Sequence, residues 1–292
     1  MPIKTSPVSG RKGVVLGTVA PIGYEEFASP EWLASLRRLG CSVVQAYRNQ
    51  AVPVTTRQMV EHILAGGMPC DSLHGVYGGR LDPSSPNEDD RQYTVRALKR
   101  EGTLVRELGG SLVVVHCSPL MHEPVAVSAE EYAARDGQLR KSIAELGPFG
   151  ATVGVWYAFE NLPGYHPMGS DVGRLAEMLR QVGAPHTGMC FDTGHANMTG
   201  DVILAIAAAR EQILYVHLCD NDGLADQHLM PGRGTLEMDD VAAGLRAAGY
   251  SGTVMLEVFQ PADAMAEFVR DGYADRFARF LRIANEGGEA KL

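Results

Sequence analysis

Apolar residues fall along the chain in eight short runs, and a stretch with the spacing of an amphipathic helix follows each run. Each run is nearly continuous in apolar character, as expected for strands of a parallel sheet that is covered on both faces. The predicted strands are 13–19, 41–47, 70–78, 111–117, 152–161, 186–192, 213–220 and 253–259. The predicted helices are 30–39, 55–65, 87–109, 128–147, 170–182, 200–210, 238–248 and 262–285.

Eight consecutive strand–helix units can close into a (β/α)8 barrel or form an open, doubly wound sheet. The count of eight and the lack of a G-x-G-x-x-G turn after the first run favour the barrel. Several helices end at a glycine that leads into the next strand, because glycine enters the left-handed conformation at low cost. With no repeat, linker or low-complexity tract, we predict one α/β domain, a TIM barrel over 1–292, with 1–12 as a flexible N-terminus.

The composition is that of a globular protein with a large apolar core, since 45% of the residues are apolar and 21% are charged. The net charge of −9 argues against a partner held mainly through phosphates, so we expect no nucleic-acid partner. Five cysteines without a C-x-x-C pair suit reduced, buried thiols. The polar N-terminus and the lack of a long apolar run predict a cytoplasmic protein that does not enter a membrane.

Residues of the types that bind metals are concentrated at one end of the predicted barrel. The active site of a (β/α)8 barrel lies at the carboxyl ends of its strands. At those ends, or in the loops just beyond them, the sequence places His74, His116, Glu160, Asp192, His195, His217, Asp226, His228 and Glu257. Each of these residues, taken alone, also has an ordinary role open to it, such as a helix cap, a turn or a buried hydrogen bond.

Glu160 and Glu257 carry the metal hypothesis because each interrupts a run that should be buried. Burying an ionised carboxylate without a partner is very costly, and two such residues in one barrel need a shared partner. A divalent cation is the simplest such partner. Oxygen and imidazole donors without a thiolate suit Mn²⁺, Mg²⁺, Co²⁺ or Zn²⁺. Cys117 is left out because it faces the side of its strand opposite to His116.

Several other residues have more than one role open to them. Arg233, in the motif PGRGTL, can meet a phosphate or carboxylate of a substrate, or it can be a solvated loop residue. Tyr24 and Tyr77 can line a sugar pocket, whereas Trp156 is expected to pack in the core. The role of His166 stays open.

Four segments of the chain resemble the sugar phosphate isomerase/epimerase superfamily, whose barrel is of the xylose isomerase type. They are "FENLPG" (159–164), "CFDTGHAN" (190–197), "VHLCDNDGLADQHLMPGRGTL" (216–236) and "GYSGTVMLEV" (249–258). The resemblance implies a metal-dependent isomerase or epimerase that acts on a small ketose, keto-sugar or sugar phosphate. It also implies that Glu160, Asp192, His217 and Glu257 bind one catalytic divalent metal, and that the two glutamates transfer the proton.

The same resemblance makes His195 a contact for substrate oxygens, and we count Asn161 and Arg233 as further candidate substrate contacts. A dehydratase that expels a hydroxyl from the same enediolate is the first alternative. A non-catalytic sugar-binding barrel is disfavoured, because binding alone does not need a pair of acid–base carboxylates. Members of the superfamily are often homo-oligomers, which leaves a homo-oligomer open for this chain.

The superfamily also includes apurinic-site endonucleases with a three-zinc cluster, and all nine of their ligand types occur here. They are His74, His116, Glu160, Asp192, His195, His217, Asp226, His228 and Glu257. This match keeps a multinuclear zinc site open as an alternative. However, the loop "DNDGLADQHLMPGRG" is of the sugar-isomerase kind, and the sequence shows no basic recognition loop. We therefore expect a single divalent metal and a small sugar substrate.

Overall fold

The structure is a computed structural model that describes residues 13–24, 30–121 and 123–286. The predicted flexible segment 1–12 and His122 lie outside the described residues. The strands are β1 (Val15–Ile22), β2 (Val43–Arg48), β3 (Cys70–His74), β4 (Leu112–His116), β5 (Trp156–Glu160), β6 (Thr187–Asp192), β7 (Ile213–Leu218) and β8 (Thr253–Leu256). The helices are α1 (Pro30–Arg38), α2 (Thr56–Gly66), α3 (Glu88–Glu107), α4 (Ala129–Val153), α5 (Val172–Val182), α6 (Thr193–Thr199), α7 (Val202–Ala209), α8 (Met238–Ala247), α9 (Ala262–Arg270) and α10 (Tyr273–Glu286).

The strands form a closed parallel barrel in sequence order, which confirms the predicted (β/α)8 fold. β1 closes the ring by pairing with both of its neighbours: Gly17 is aligned with Val43 of β2 and with Met255 of β8. Every strand is followed by at least one helix, which carries the chain back to the start of the next strand. All eight carboxyl ends therefore lie at the same rim, where a TIM barrel builds its active site.

Two helices depart from the predicted pattern at a proline and at a glycine. α4 continues through Pro148, which delays the start of β5. Gly150 lets this part of α4 lie close on the barrel, because a Cβ at that position would collide with the carbonyl oxygen of Val155. The predicted helix 262–285 is instead two helices, α9 and α10, separated at Gly272, whose φ of 78° is favourable for glycine. Packing on the barrel therefore outweighs the proline signal in α4, whereas the glycine at 272 divides the predicted helix 262–285.

The segment between β6 and α7 also differs from the prediction. The apolar pattern indicates an irregular link up to residue 200, whereas α6 begins directly after Asp192. This short helix belongs to the rim of the barrel and holds His195 close to the end of its strand.

Trp156 lies at the amino-terminal start of β5, away from the rim that holds the candidate site. Its indole stacks on the ring of His186, with centroids 4.5 Å apart. The expected packing role of Trp156 agrees with this position. Across the described ranges, no helix is both long and apolar enough to cross a membrane.

Candidate metal centre and active site

Two glutamates, one aspartate and one histidine lie close together at the rim, at the carboxyl ends of four neighbouring strands. We call Glu160, Asp192, His217 and Glu257 the central cluster. Glu160 ends β5, Asp192 ends β6, His217 is the penultimate residue of β7, and Glu257 directly follows β8. Asp192 and His217 are aligned across the β6–β7 pair, so strand register alone brings these two side chains together.

The central cluster is compact and almost completely buried. The Nδ1 atom of His217 lies 2.8 Å from Glu160 Oε1, 3.0 Å from Glu257 Oε2 and 4.0 Å from Asp192 Oδ2. One donor atom from each of the four residues can be chosen so that all lie within 4.8 Å of one another. No member is more than 3% exposed. This spacing would allow the four side chains to bind one ion.

Several buried polar atoms of the central cluster lack hydrogen bonds, which indicates that the cluster suits a cation. His217 Nδ1 makes its hydrogen bond with Glu160 Oε1, and Glu160 Oε2, Glu257 Oε2 and His217 Nε2 are left buried without a hydrogen bond. Buried polar atoms without a hydrogen bond are rare in folded proteins, and a bound ion or a catalytic role can account for them. Burial also raises the pKa of the Asp192 carboxyl to about 6, because its charged form is disfavoured away from water. Three carboxylates and an imidazole therefore fit a divalent ion such as Mn²⁺, Mg²⁺, Co²⁺ or Zn²⁺. Cys190 lies within reach of Glu160 and His217, but burial raises the pKa of its thiol to about 12, which keeps the thiol protonated.

Asp192 both belongs to the central cluster and caps α6. Its Oδ1 accepts a hydrogen bond from the backbone N–H of His195 at 2.6 Å. The side-chain amide of Asn161 pairs with the backbone of Asp192, donating to its carbonyl at 2.9 Å and accepting from its N–H at 2.8 Å. The imidazole of His195 donates from Nδ1 to the carbonyl of Asn161 at 2.7 Å, which leaves Nε2 to face the rim. Asn161 thus holds the backbone, and His195 presents a ring nitrogen to the site.

A second group of donors shares Glu160 with the central cluster. His74 Nε2 and His116 Nε2 lie 3.7 and 3.4 Å from Glu160 Oε2. The centroids of the two imidazole rings are 5.0 Å apart. Burial lowers the pKa of His116 to about 3, which keeps its imidazole neutral, the form in which histidine binds metals. We call His74, His116 and Glu160 the β3–β4 cluster.

A third group, the loop cluster, consists of His195, Asp226 and His228. Asp226 lies between the two imidazoles, with Oδ2 3.4 Å from His195 Nε2 and Oδ1 3.3 Å from His228 Nε2. The other ring nitrogen of His228 donates to the backbone carbonyl of Glu257 at 3.1 Å. His228 has a φ of 44°, an uncommon conformation for a residue with a side chain. The structure therefore brings all nine predicted donor residues to one rim, in three adjoining clusters.

The loop after β7 is held by Asp220, a residue whose role the sequence pattern did not reveal. Its buried carboxylate accepts hydrogen bonds from the backbone N–H groups of Gly232 at 2.8 Å and Gly234 at 2.9 Å. Asp220 and Leu229 also exchange two backbone hydrogen bonds. These contacts close the loop so that Asp226 lies over the rim. The motif C-D-N-D, which directly follows a buried run, was the available signal.

Arg233 lies outside the three clusters. Its guanidinium pairs with Asp271 at 2.9 Å and lies over the rings of Phe268 and Tyr273. The side chain is half exposed. This position matches the alternative of a solvated loop arginine.

Aromatic rings line the side of the site next to β2 and β3. Tyr77, named from the sequence, stacks on His116 with centroids 4.5 Å apart. Tyr47 lies 4.8 Å from the ring of His74 and 5.1 Å from that of Phe259. The sequence reasoning missed Tyr47 and Phe259, although Tyr47 ends a predicted strand at the correct rim.

Comparison with known proteins agrees with the barrel fold. Residues 33–276 match the family model described as xylose isomerase-like TIM barrel. The matched segment covers most of the chain, so the resemblance inferred from the sequence motifs is confirmed.

Three relatives illustrate the range of the family. An uncharacterized protein of Methanocaldococcus jannaschii is 27% identical over 210 residues, which are 70% of this chain and 68% of that protein. The inosose isomerase of Halalkalibacterium halodurans is 27% identical over 126 residues, 41% of this chain and 45% of that enzyme. The 3-dehydroshikimate dehydratase of Pseudomonas putida is 25% identical over 245 residues, 79% of this chain and 36% of that enzyme. The match thus spans less than half of either relative with a named activity.

Solved structures with the same fold include sugar epimerases. A D-tagatose 3-epimerase-like protein has a TM-score of 0.72 at 21% identity and covers 94% of this chain and 98% of its own. A 3-keto-D-glucoside 4-epimerase from E. coli has a TM-score of 0.71 at 20% identity and covers 92% of this chain and 99% of its own. At these identities the likeness shows the shared fold alone.

Proposed function

Because the chain belongs to the family of xylose isomerase-like TIM barrels, we propose that it is a divalent-metal-dependent isomerase or epimerase of a small ketose, keto-sugar or sugar phosphate. One observation carries the proposal: Glu160 and Glu257 contact the same nitrogen of His217, at 2.8 and 3.0 Å, inside a buried site. Two buried carboxylates beside one candidate metal position can act as the acceptor and the donor of a proton. A protein that only binds sugars does not need such a pair.

In this proposal the four residues of the central cluster would hold the cation, which would supply positive charge beside the carbonyl end of the sugar. One glutamate takes the proton from the carbon next to the carbonyl. Glu160 and Glu257 extend from β5 and β8, which are three strands apart, so they approach the sugar from different sides. The second glutamate can therefore return a proton on the opposite face and invert that carbon. Return of the proton to the neighbouring carbon instead gives aldose–ketose isomerisation.

A dehydratase is the alternative outcome of the same proton abstraction. The enediolate can lose a hydroxyl group from the next carbon as water, if a proton is delivered to that hydroxyl. The similarity to a protein described as 3-dehydroshikimate dehydratase supports keeping this outcome, and the similarity to an inosose isomerase supports the first proposal. Product analysis separates the two reactions, because only the dehydratase forms a product that has lost one molecule of water.

A multinuclear zinc phosphoesterase is the second candidate function, and the β3–β4 and loop clusters favour it. Each of the three clusters offers at least three donor atoms within 4.8 Å of one another. Three metals in adjoining positions can clamp a phosphate ester during hydrolysis. The net charge of −9 weighs against a DNA substrate, which is why we rank this candidate below the sugar enzyme.

The decisive experiment is a screen for solvent exchange. The protein is supplied in turn with Mn²⁺, Mg²⁺, Co²⁺ and Zn²⁺ in deuterated water and incubated with ketoses, keto-inositols and their phosphates. Deuterium is expected to enter the carbon next to the carbonyl of one substrate class, even where little product accumulates. Metal content per chain and cleavage of a duplex with an abasic site are measured on the same samples.

Two variants make the screen specific. Glu257→Gln preserves the shape of the side chain and removes its basic oxygen, so exchange is expected to be abolished. Glu61→Gln, on the surface of α2, is the matched control and is expected to exchange as the wild type does. Wild-type exchange in Glu257→Gln would exclude this residue from the acid–base pair. Three tightly bound zinc ions and cleavage of abasic DNA, without exchange into any sugar, would establish the second candidate instead.

A further inference from the structure

We propose that Tyr47, Tyr77 and Phe259, which we call the aromatic wall, form a subsite for the uncharged end of a carbohydrate, so that the substrate carries no phosphate at that end. This inference rests on the proposed function for the identity of the substrate as a sugar. It adds the chemical class of that sugar and names the residues that select it.

The aromatic wall stands directly against the donor clusters. The ring of Tyr77 stacks on His116 at 4.5 Å, that of Tyr47 lies 4.8 Å from His74, and that of Phe259 lies 5.8 Å from His228. All three rings of the wall are partly exposed rather than enclosed in the core. A sugar whose carbonyl end lies at the central cluster therefore has these rings beside the rest of its carbon chain.

Partly exposed rings beside polar groups suit the mixed surface of a sugar. Carbohydrate-sized pockets combine apolar or aromatic walls with a few fixed polar groups that orient the ligand. The C–H faces of a sugar can pack on the rings of the wall, as other apolar groups pack on aromatic faces. A phosphate group, by contrast, gains little from an aromatic face and needs charge-assisted donors.

The hydroxyl groups of the wall supply fixed polar contacts. Tyr47 Oη lies 2.6 Å from Tyr77 Oη, so one hydroxyl donates its hydrogen to the other. The pair then retains one hydrogen to donate and lone pairs that can accept. Both kinds of contact match the hydroxyl groups of a neutral sugar.

Arg48 is the one arginine or lysine among the described residues that line the small cavity next to the wall. The other lining residues are Tyr47, Gln50, His74, Gly75 and Tyr77. Its guanidinium is committed to Glu101, with Nη2 2.5 Å from Oε2, and the Glu101 side chain is only 7% exposed. Moving Arg48 to a substrate phosphate would leave a buried carboxylate without its partner, which is strongly unfavourable. Among the described residues that line this cavity, none therefore has a guanidinium available for a phosphate.

The test measures binding separately from turnover. Dissociation constants of the Mg²⁺-loaded full chain are determined by ligand-observed NMR for D-fructose and D-tagatose and for the 6-phosphates of both. The neutral ketoses are expected to bind at least about tenfold more tightly than their phosphates, because roughly 1.4 kcal/mol of preference corresponds to tenfold. Equal or tighter binding of the phosphates would overturn the proposal, and so would a lack of binding by all four probes.

Substitutions in the aromatic wall test whether the neutral ketoses bind there. Tyr77→Leu is expected to weaken binding of the neutral ketoses about tenfold and Tyr77→Phe about threefold to tenfold, whereas Tyr93→Leu, on the outer face of α3, should bind as the wild type does. The Mg²⁺ affinity of the variants should stay within about threefold of the wild type, which shows that the central cluster is intact. Wall variants that bind ketoses like the wild type would refute the subsite.

The outcomes for the wall and for the proposed reaction are distinguishable. Neutral ketoses that bind at the wall without solvent exchange would leave the subsite standing and reject the enzyme activity. Exchange that proceeds with unchanged KM in Tyr77→Phe and Tyr77→Leu would leave the activity standing and reject the subsite.

Discussion

At the amino-terminal end of the barrel the buried carboxylate of Asp71 is surrounded by hydroxyl groups, whereas at the carboxyl-terminal end the buried carboxylates of the central cluster face one another. The hydroxyls of Ser72 and Tyr215 lie 2.8 and 3.1 Å from Asp71 Oδ1, and the hydroxyl of Thr253 lies 2.6 Å from Oδ2. We call these four residues the basal network. At the other end, Glu160 Oε2 and other buried atoms have no hydrogen-bond partner.

The difference separates polar groups that stabilise the fold from polar groups that are available for chemistry. A buried network whose members satisfy one another rigidifies the protein, and breaking it leaves unpaired groups in a medium of low dielectric constant. A buried group without a partner costs free energy on folding and is retained where it has another use. Changes at the basal network should therefore alter stability, and changes at the central cluster should alter metal binding and catalysis.

The largest expected effect is on catalysis, from Glu160→Gln. We expect the rate of solvent exchange to fall about 10³-fold, since a general acid or base contributes on this order. The free energy of unfolding of the metal-free variant should change by less than about 1 kcal/mol, because glutamine retains the shape of the side chain and an oxygen that can accept the hydrogen bond from His217. Deuterium exchange and urea denaturation measure the two quantities, and a large loss of stability would show that the cluster supports the fold.

The next largest effect is on stability, from Asp71→Asn. The amide retains one acceptor oxygen and turns an NH₂ group toward hydroxyls that donate to the carboxylate. We expect the free energy of unfolding to fall by about 3 kcal/mol, as when one partner of a buried charged network is removed. Denaturant titration checks this value, with the exposed Asp239→Asn as the control. Metal affinity that fell along with stability would contradict the separation of the two ends.

Metal addition should stabilise the protein through the central cluster. At a free metal concentration 100 times the Kd, binding to the native state contributes about 2.7 kcal/mol. Thermal unfolding with and without Mn²⁺ measures the shift, and a chelator should reverse it. Asp192→Asn is expected to remove most of the shift, while Asp71→Asn should retain it. An equal shift in both variants would place the bound ion elsewhere.

The smallest effect is expected from Tyr215→Phe. This variant removes one hydroxyl from the basal network and leaves the ring in place, so a loss of about 1 kcal/mol in the free energy of unfolding is expected. The solvent-exchange rate should not change. A lower exchange rate at full stability would mean that the basal network communicates with the central cluster through the ring of His217, which lies 5.8 Å from that of Tyr215.

The sequence predicted best what depends on neighbours along the chain. Glu160 was marked as unusual by the apolar run that it interrupts, and the structure places it at the end of β5 with 1% exposure. The patterns that failed were those in which packing outweighs a local signal. Pro148 suggests the end of a helix, yet α4 continues to Val153, and Gly150 lets this last part of the helix lie close to the barrel. Asp220 resembles its neighbour Asp222 in sequence, and only its burial distinguishes it as the anchor of the loop.

By itself the sequence determined the alternation of strands and helices, and with it the end of the barrel at which the polar residues gather. These properties follow from periodic burial and from short connections, which are local. Tertiary structure alone decided how nine donor residues divide into three clusters, that Arg233 pairs with Asp271, and that Tyr47 and Phe259 stand beside the histidines. Those facts depend on strand register and loop closure, which join residues distant in the chain, so no local pattern encodes them.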